Sequence, residues 1–150
     1  MDAKIFTPEN SAMLLIDHQV GTMGWVRSLE LEEIKKNTVA LARAAKATGM
    51  PLILTSSMED QAQGPLFEEL INVVPEAYKS RIQRAGKVDC MKDESFATAV
   101  EATSRKNLIL AGITTDVCVV YPAITAHNSG YNVQVVVDGS GSPSTLADET

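Results

Sequence analysis

The sequence is poor in cysteine and in positive charge, and each scarcity excludes a class of protein. Only Cys90 and Cys118 are present, in no CxxC pair and in no Cys/His cluster with zinc spacing, so we expect free thiols and no structural metal. Lys and Arg total 13 against 19 Asp and Glu, which gives a net charge of −6 without any basic run. Nucleic acid and anionic membrane surfaces are therefore not expected as partners. A small molecule is the expected partner.

Long apolar runs are also missing. The first one, Ala12–Ile16, is interrupted by Asp17, too early for a signal peptide or a membrane span. No GxGxxG or P-loop follows it, which disfavours a nucleotide-binding protein. With 150 residues and 45% hydrophobic content, the chain is expected to form a single domain over residues 1–150 in the cytoplasm.

What the chain does contain is an alternation of strand-like and helix-like segments. Four short apolar runs are typical of buried parallel strands: Ala12–Ile16, Pro51–Thr55, Leu108–Gly112 and Val133–Val137. Three segments favour helices: Leu29–Thr48, which ends at Gly49, Glu94–Arg105 and Asp116–Asn128. The pattern predicts an α/β fold with a doubly wound, Rossmann-like parallel sheet flanked by helices. Tyr78–Arg84 is predicted as an extra strand near the sheet edge.

Several chemically useful residues follow predicted strands. Open α/β sheets bind ligands beyond the carboxyl ends of their strands, where Asp17, Arg84 or Lys87, and the loop before Cys118 are expected to meet. Cys118 lies just inside a predicted helix, whose free N–H groups and dipole stabilise a thiolate and can hold an oxyanion. Asp17 is the candidate base, and the N–H groups of Thr114 and Cys118 are the candidate oxyanion donors. Together these features predict acyl-transfer chemistry.

Each of these residues also has a purely structural interpretation. A cysteine in an apolar helix most often packs in a core, and Asp17 could cap a turn after its strand. His18 is expected in a loop or at an edge, and Cys90, within the polar stretch KVDCMKDE, is expected near the surface or a pocket rim.

Three further side chains are candidate substrate-binding residues: Gln19, Trp25 and Tyr121. Packing in a core or at a subunit interface is an equally good interpretation of Trp25.

The segments LLIDHQ, IQRAGKVD, AGITTDVCV and VVVDGSGS together resemble the isochorismatase-like cysteine hydrolases. The most specific part is the pattern G-[IV]-x-T-[DE]-x-C, and GPLFEEL is most similar to the YcaC-type branch. The resemblance implies that Asp17 is the general base, that Arg84 occupies the usual lysine position and that Cys118 is the nucleophile. It also implies a cis peptide between Ile113 and Thr114 that turns the Thr114 N–H into the oxyanion pocket.

The sequence departs from the family pattern in two places. Arginine replaces the usual lysine, and because a guanidinium stays charged it cannot shuttle protons, so Lys87 remains an alternative basic residue. The family's sheet normally continues with a sixth strand and a terminal helix, but only 12 residues follow Asp138. The chain is thus expected to be C-terminally short, either as a truncated form or as a homo-oligomer whose neighbours cover the exposed edge. No Asp-x-His pattern follows Asp60, so no metal or other cofactor is expected.

The resulting hypothesis is a cofactor-independent cysteine hydrolase that acts on a small amide-like substrate through a thioester. An ether-cleaving isochorismatase activity is a variant of it. The alternative is a non-catalytic, oligomeric small-molecule-binding protein on the same fold. A Cys118 pKa well below its ordinary value of about 8.5 would favour the enzyme, and an ordinary value would favour the binding protein.

Overall fold

A computed structural model describes residues 4–149 of the chain. The strands are β1 (Ser11–Ile16), β2 (Leu52–Ser57), β3 (Ile82–Arg84), β4 (Asn107–Gly112) and β5 (Asn132–Val135). The α-helices are α1 (Val20–Met23), α2 (Leu31–Thr48), α3 (Glu68–Val73), α4 (Pro75–Lys79), α5 (Glu94–Ala102), α6 (Val120–Asn128) and α7 (Thr145–Glu149). Shorter turns comprise two 3₁₀ segments, Cys90–Lys92 and Val137–Gly139, and a π-helical turn at Thr115–Val119. None of the helices within residues 4–149 is both long enough and apolar enough to cross a bilayer.

The five strands form one parallel sheet in the order β3-β2-β1-β4-β5. The central strand β1 pairs with β2 on one side and with β4 on the other, where Ile16 lies opposite Gly112. The order reverses direction at β1, since the chain first moves outward to β3 and then returns to β4. The predicted doubly wound parallel sheet is confirmed.

Alternating side chains of the central strand supply cores on both faces of the sheet. Met13 and Leu15 are buried in a cluster with Ile34 of α2, whereas Leu14 is buried in a second cluster with Phe96 of α5. Because successive residues of a strand point to opposite faces, a run buried on both faces has no polar alternation. This explains why the strands appear as continuous apolar runs in the sequence.

The predicted segment boundaries hold best where glycine or burial fixes them. Helix α2 ends at Gly49, which adopts the left-handed conformation with φ of 71°. The predicted strand over Tyr78–Arg84 is wrong in its first half, because Pro75 begins helix α4 and only Ile82–Arg84 pairs with β2. The last predicted strand ends early, at Val135, where a 3₁₀ turn takes over.

Close contact between β1 and β4 brings their carboxyl ends together. A Cβ atom on Gly112 would lie 2.5 Å from the carbonyl oxygen of Ile16, closer than any side chain tolerates. The amide of Ile113 donates to that same oxygen over 3.0 Å. The residue after β1 and the loop after β4 are therefore neighbours at one edge of the sheet.

Candidate active site

A buried ion pair lies at this edge. Asp17 follows β1 directly with a φ of 58°, and Arg84 is the last residue of β3. Arg84 donates from Nη1 to Asp17 Oδ1 over 2.7 Å and from Nη2 to Oδ2 over 2.9 Å, the two-pronged geometry that gives the strongest ion pairs. Burial lowers the pKa of Arg84, but the hydrogen bonds and charge of Asp17 raise it overall above its ordinary value.

Further hydrogen bonds fix the Arg84 guanidinium. Its Nη1 also donates to Thr55 Oγ1 over 2.9 Å, and its Nε donates to the backbone carbonyl of Lys87 over 2.9 Å. The Lys87 side chain is exposed and donates to the carbonyl of Lys92. Arg84 is thus the basic residue that contacts Asp17, and the alternative in which Lys87 takes this place is wrong.

Cys118 lies on the π-helical turn that joins β4 to α6. The turn follows a cis peptide between Ile113 and Thr114, and the Val119 amide donates to the Thr114 carbonyl, five residues earlier. The Asp17 carboxyl group and the backbone of Thr114 lie close enough to the Cys118 thiol to act on its pKa. The fold thereby brings together Asp17, Arg84 and Cys118, which are far apart in the sequence.

The Cys118 thiol is protonated at neutral pH. Burial and, after it, the Asp17 carboxylate raise the pKa of Cys118 to about 12, while the Thr114 backbone and Arg84 act in the opposite direction. Cys118 lies within the helical turn Thr115–Val119, which runs directly into α6, and stabilisation of the thiolate by this helix start remains a prediction. Formation of a thiolate would therefore need a nearby proton acceptor, and the Asp17 carboxylate lies beside the thiol.

Cys90 is fully buried, which corrects its predicted place near the surface. It begins a 3₁₀ turn that Asp89 caps by accepting from the Met91 amide over 3.0 Å, and Asp89 also accepts from the Thr125 hydroxyl over 2.6 Å. Burial raises the pKa of Cys90 far above its ordinary value. The polar residues around Cys90 had suggested exposure, but Asp89 stabilises the turn by hydrogen bonding while the Cys90 thiol lies in the core.

His18 is also fully buried and not at an edge. Its Nε2 lies 2.8 Å from the carbonyl oxygen of Gly139, so the neutral ring donates from that nitrogen, while Nδ1 has no partner among the described residues. Burial lowers the pKa of His18 to about 4, against the effects of Gly139 and Asp17. The imidazole thus ties the end of β1 to the 3₁₀ turn after β5.

Protonation of His18 is expected to destabilise the protein in mild acid. The folded-state pKa of about 4 lies below the unfolded value of about 6.5. The folded protein with a neutral His18 therefore has its full free energy of unfolding above pH 6.5, and this free energy decreases as the pH falls towards 4. The difference corresponds to about 3 kcal/mol. Urea unfolding of the wild type is expected to give a lower free energy of unfolding at pH 4.5 than at pH 7. In His18→Gln this difference between the two pH values is expected to be smaller by about 2 kcal/mol or more.

The exposed second histidine supplies the control for that measurement. His127→Gln, at the exposed end of α6, should leave the wild-type pH dependence intact. If the free energy of unfolding falls equally in wild type and in His18→Gln between the two pH values, His18 is not the group responsible for the loss of stability in acid.

Gln19, predicted to bind substrate, makes all its side-chain hydrogen bonds within the chain. Its Nε2 donates to the carbonyls of Ser57 and Gly64 over 2.8 and 2.6 Å, and its Oε1 accepts from the Ser57 amide over 2.9 Å. No donor is left for a ligand, so the prediction is corrected: Gln19 holds the loop after β2 against the end of β1.

Trp25 and Tyr121, the other predicted substrate-binding residues, lie on the surface. Trp25 follows α1 and is 50% exposed, and Tyr121 lies in the first turn of α6 and is 54% exposed. Both elements begin near the carboxyl edge of the sheet, after β1 and β4. Contact with substrate remains a prediction for these two side chains.

Two polar residues that hold the site together were missed from the sequence. Thr55 contacts Arg84, and Ser140 accepts from the Gly112 amide over 3.1 Å and donates to the Val136 carbonyl over 2.9 Å. Both are completely buried, and a hydroxyl close to the end of a buried strand is the signal that could have identified Thr55. Within residues 4–149, no group of three or more His, Cys, Asp and Glu side chains is arranged to hold a metal ion.

Comparison with known proteins agrees with this architecture. Residues 11–150 match the family model described as the Isochorismatase domain. The chain is 42% identical over 132 residues to the probable hydrolase YcaC of Escherichia coli, a match that covers 88% of this chain. It covers 62% of the relative, so this chain spans less than two thirds of that protein's length.

Two solved structures superpose closely on the chain. YcaC from Pseudomonas aeruginosa, with hexane-2,5-diol and covalent acrylamide, gives a TM-score of 0.94 at 39% identity and covers 99% of this chain and 73% of its own. The crystal structure of the Escherichia coli YcaC gene product, an octameric hydrolase of unknown specificity, gives 0.93 at 38% identity, with 99% and 72% covered. The family model and these relatives agree with one another, and the chain belongs to the isochorismatase family.

Proposed function

We propose that the protein is a cofactor-independent cysteine hydrolase that cleaves small amide-like substrates through a thioester on Cys118. One observation carries the proposal: the buried Asp17–Arg84 ion pair lies beside the Cys118 thiol, where the Asp17 carboxyl group and the Thr114 backbone both act on the pKa of that thiol. A base and an N–H donor thus flank the same sulfur. This is the minimum arrangement that nucleophilic attack on a carbonyl requires.

The first step is proton transfer from the thiol to Asp17. With a Cys118 pKa of about 12, only about one molecule in 10⁴ to 10⁵ carries a thiolate near pH 7.5. Asp17 therefore takes the proton as Sγ forms its bond to the carbonyl carbon, so that no free thiolate has to accumulate. Arg84 holds the carboxylate in place and stays charged throughout.

The carbonyl oxygen becomes negative when the sulfur attacks. The N–H groups of Thr114 and Cys118 are the proposed donors to this oxyanion, and each such donor contributes roughly 3 kcal/mol in other hydrolases. The Thr114 N–H is well suited because it already lies against the sulfur to which the new tetrahedral carbon is bound.

The remaining steps restore the enzyme. The C–N bond breaks, the amine leaves with the proton from Asp17, and a thioester remains on Cys118. Water then attacks this thioester while Asp17 accepts its proton, the C–S bond breaks, and the thiolate recovers the proton as the carboxylic acid departs. In sum, amide and water become carboxylic acid and amine.

Two properties of the relatives support a reactive nucleophile and an assembled protein. The Pseudomonas aeruginosa YcaC structure contains covalent acrylamide, a compound whose alkene carbon bonds to nucleophiles. The Escherichia coli relative is an octamer, and this chain exposes Val20, Trp25, Tyr121 and Ile124 to at least half. Exposed apolar side chains of this size favour contact with further copies, so we extend the proposal to a homo-oligomer.

The experiment is an ammonia-release screen with small primary amides, combined with peptide mass spectrometry of the quenched enzyme. We expect turnover of at least one amide, together with an acyl mass on the peptide that contains Cys118. Cys118→Ala should lose both, whereas Cys90→Ala, which removes the other thiol, should keep both. Ammonia release that persists in Cys118→Ala would contradict the mechanism.

The second candidate is a non-catalytic small-molecule-binding protein on the same fold. The observation that favours it is the raised pKa of Cys118, since a protonated thiol is a poor nucleophile. In the same experiment this candidate predicts reversible binding of small amides without ammonia release and without an acylated peptide.

A further inference from the structure

Thr55 connects β2 to both members of the buried ion pair. The residue is completely buried, and its backbone carbonyl accepts from the Asp17 amide over 3.0 Å. Its side-chain oxygen lies 2.9 Å from Arg84 Nη1 and 2.7 Å from the backbone carbonyl of Ile82. Thr55 thus contacts the backbone of Asp17, the guanidinium of Arg84 and strand β3, which carries Arg84, without touching a reacting atom.

The direction of the two hydroxyl bonds follows from the chemistry of the partners. A carbonyl oxygen only accepts, so the single hydroxyl hydrogen of Thr55 points to Ile82. A guanidinium only donates, so the Arg84 Nη1 hydrogen points to the hydroxyl oxygen. This leaves the other Nη1 hydrogen and one Nη2 hydrogen for the two oxygens of Asp17.

The Arg84 guanidinium has partners on three sides. They are the Thr55 hydroxyl on β2, with the Ser56 carbonyl farther away at 3.5 Å, the Lys87 carbonyl beyond β3 and the Asp17 carboxylate beyond β1. Without the Thr55 hydroxyl, Nη1 keeps only the long contact with Ser56 on β2, and the bond from this nitrogen to Asp17 is held less firmly. Asp17 in turn contacts the Cys118 sulfur.

We propose that Thr55 is a positioning residue, whose hydroxyl orients Arg84 and through it holds the Asp17 carboxylate beside Cys118. The inference rests on the proposed function, because its purpose is to keep the base and nucleophile aligned. Thr55 acts through Arg84 and not on the substrate, so its loss should lower kcat without changing KM.

The test compares Thr55→Val, which keeps the shape but removes the hydroxyl, with Thr55→Ser, which keeps the hydroxyl. For Thr55→Val we expect kcat for a small amide to fall about tenfold at unchanged KM, with kcat restored in Thr55→Ser. We also expect iodoacetamide to alkylate the Cys118 peptide several-fold faster at pH 8, because the carboxylate that raises the pKa of Cys118 is held less firmly beside the sulfur. This second readout needs no substrate.

A variant that lacks the guanidinium separates positioning from general destabilisation. In Asp17→Asn/Arg84→Gln, Thr55→Val should change the alkylation rate no further, since the group it acts through is gone. If Thr55→Val does not fold, Thr55→Ala is measured in its place with the same expectation.

Three results would overturn the inference: wild-type alkylation in Thr55→Val, alkylation in Thr55→Ser as fast as in Thr55→Val, or the same acceleration in the background without Arg84. If no amide is turned over by wild type while alkylation follows the expected order, the proposed function fails and the positioning of Arg84 by Thr55 stands.

Discussion

Asp17→Asn is expected to move two measurements in opposite directions. Turnover of a small amide should fall by about 10²- to 10⁴-fold, the contribution of a positioned general base. Alkylation of Cys118 by iodoacetamide at pH 8 should become faster, by about tenfold for each unit by which its pKa drops. The two effects separate because turnover needs a proton acceptor, whereas alkylation needs only thiolate.

The acceleration follows from the charges around the sulfur. The Asp17 carboxylate raises the pKa of Cys118, second only to burial, and Arg84 lowers it. Replacement of the carboxylate by a neutral amide of the same shape removes the first charge and leaves the second. A larger fraction of Cys118 is then ionised at a given pH.

The control is Asp138→Asn, which removes an exposed carboxylate just beyond β5 and should leave both rates unchanged. If Asp17→Asn slows alkylation and turnover together, Asp17 acts by stabilising the thiolate and is not the base. If turnover is unchanged, the proposed role of Asp17 is wrong.

Arg84→Gln is expected to lower the free energy of unfolding by about 3–5 kcal/mol near neutral pH, the usual effect of removing one member of a buried ion pair. The Asp17 and Arg84 side chains are 2% and 1% exposed, so the remaining carboxylate would be neither paired nor hydrated. In Asp17→Asn/Arg84→Gln no charge is left behind, and most of the lost stability should return. Urea unfolding of the three proteins measures both effects.

A second arginine ion pair offers a matched control. Arg81 donates to both oxygens of Glu59 over 2.7 and 3.0 Å, but these side chains are 14% and 18% exposed. Water can reach this pair, so Arg81→Gln is expected to cost only about 1 kcal/mol. If Arg84→Gln lowers the free energy of unfolding no more than Arg81→Gln does, burial of the unpaired Asp17 charge does not destabilise this protein.

The fold could be predicted because its signals are local. Ala12–Ile16 and Leu108–Gly112 are continuous apolar runs, as strands covered on both faces must be, and Gly49 marks the end of α2. The edge strand β3 gave a weaker signal because it has only three residues, and its sequence neighbours form a helix. Its register could not be fixed without the neighbouring strand.

The site could be predicted only in part. The order of Asp17, a basic residue and Cys118 was visible, but the choice between Arg84 and Lys87 depends on where β3 ends relative to Thr55. His18 and Gln19 were misjudged because polar side chains are buried only where distant carbonyls accept their hydrogen bonds, and those acceptors lie in the loops after β5 and β2. The raised pKa of Cys118 likewise depends first on burial and then on the nearby Asp17 carboxylate, and no local pattern encodes either one.

Gly112 shows that the distance between two residues of the site can depend on the absence of a side chain elsewhere. Because this residue has no Cβ, the ends of β1 and β4 approach until backbone meets backbone, and Asp17 and Cys118 extend from those two ends. Any larger residue would separate Asp17 from Cys118, the proposed base and nucleophile, without altering either one. Efforts to redesign this pocket should therefore treat the identity of residue 112 as part of the geometry of the site.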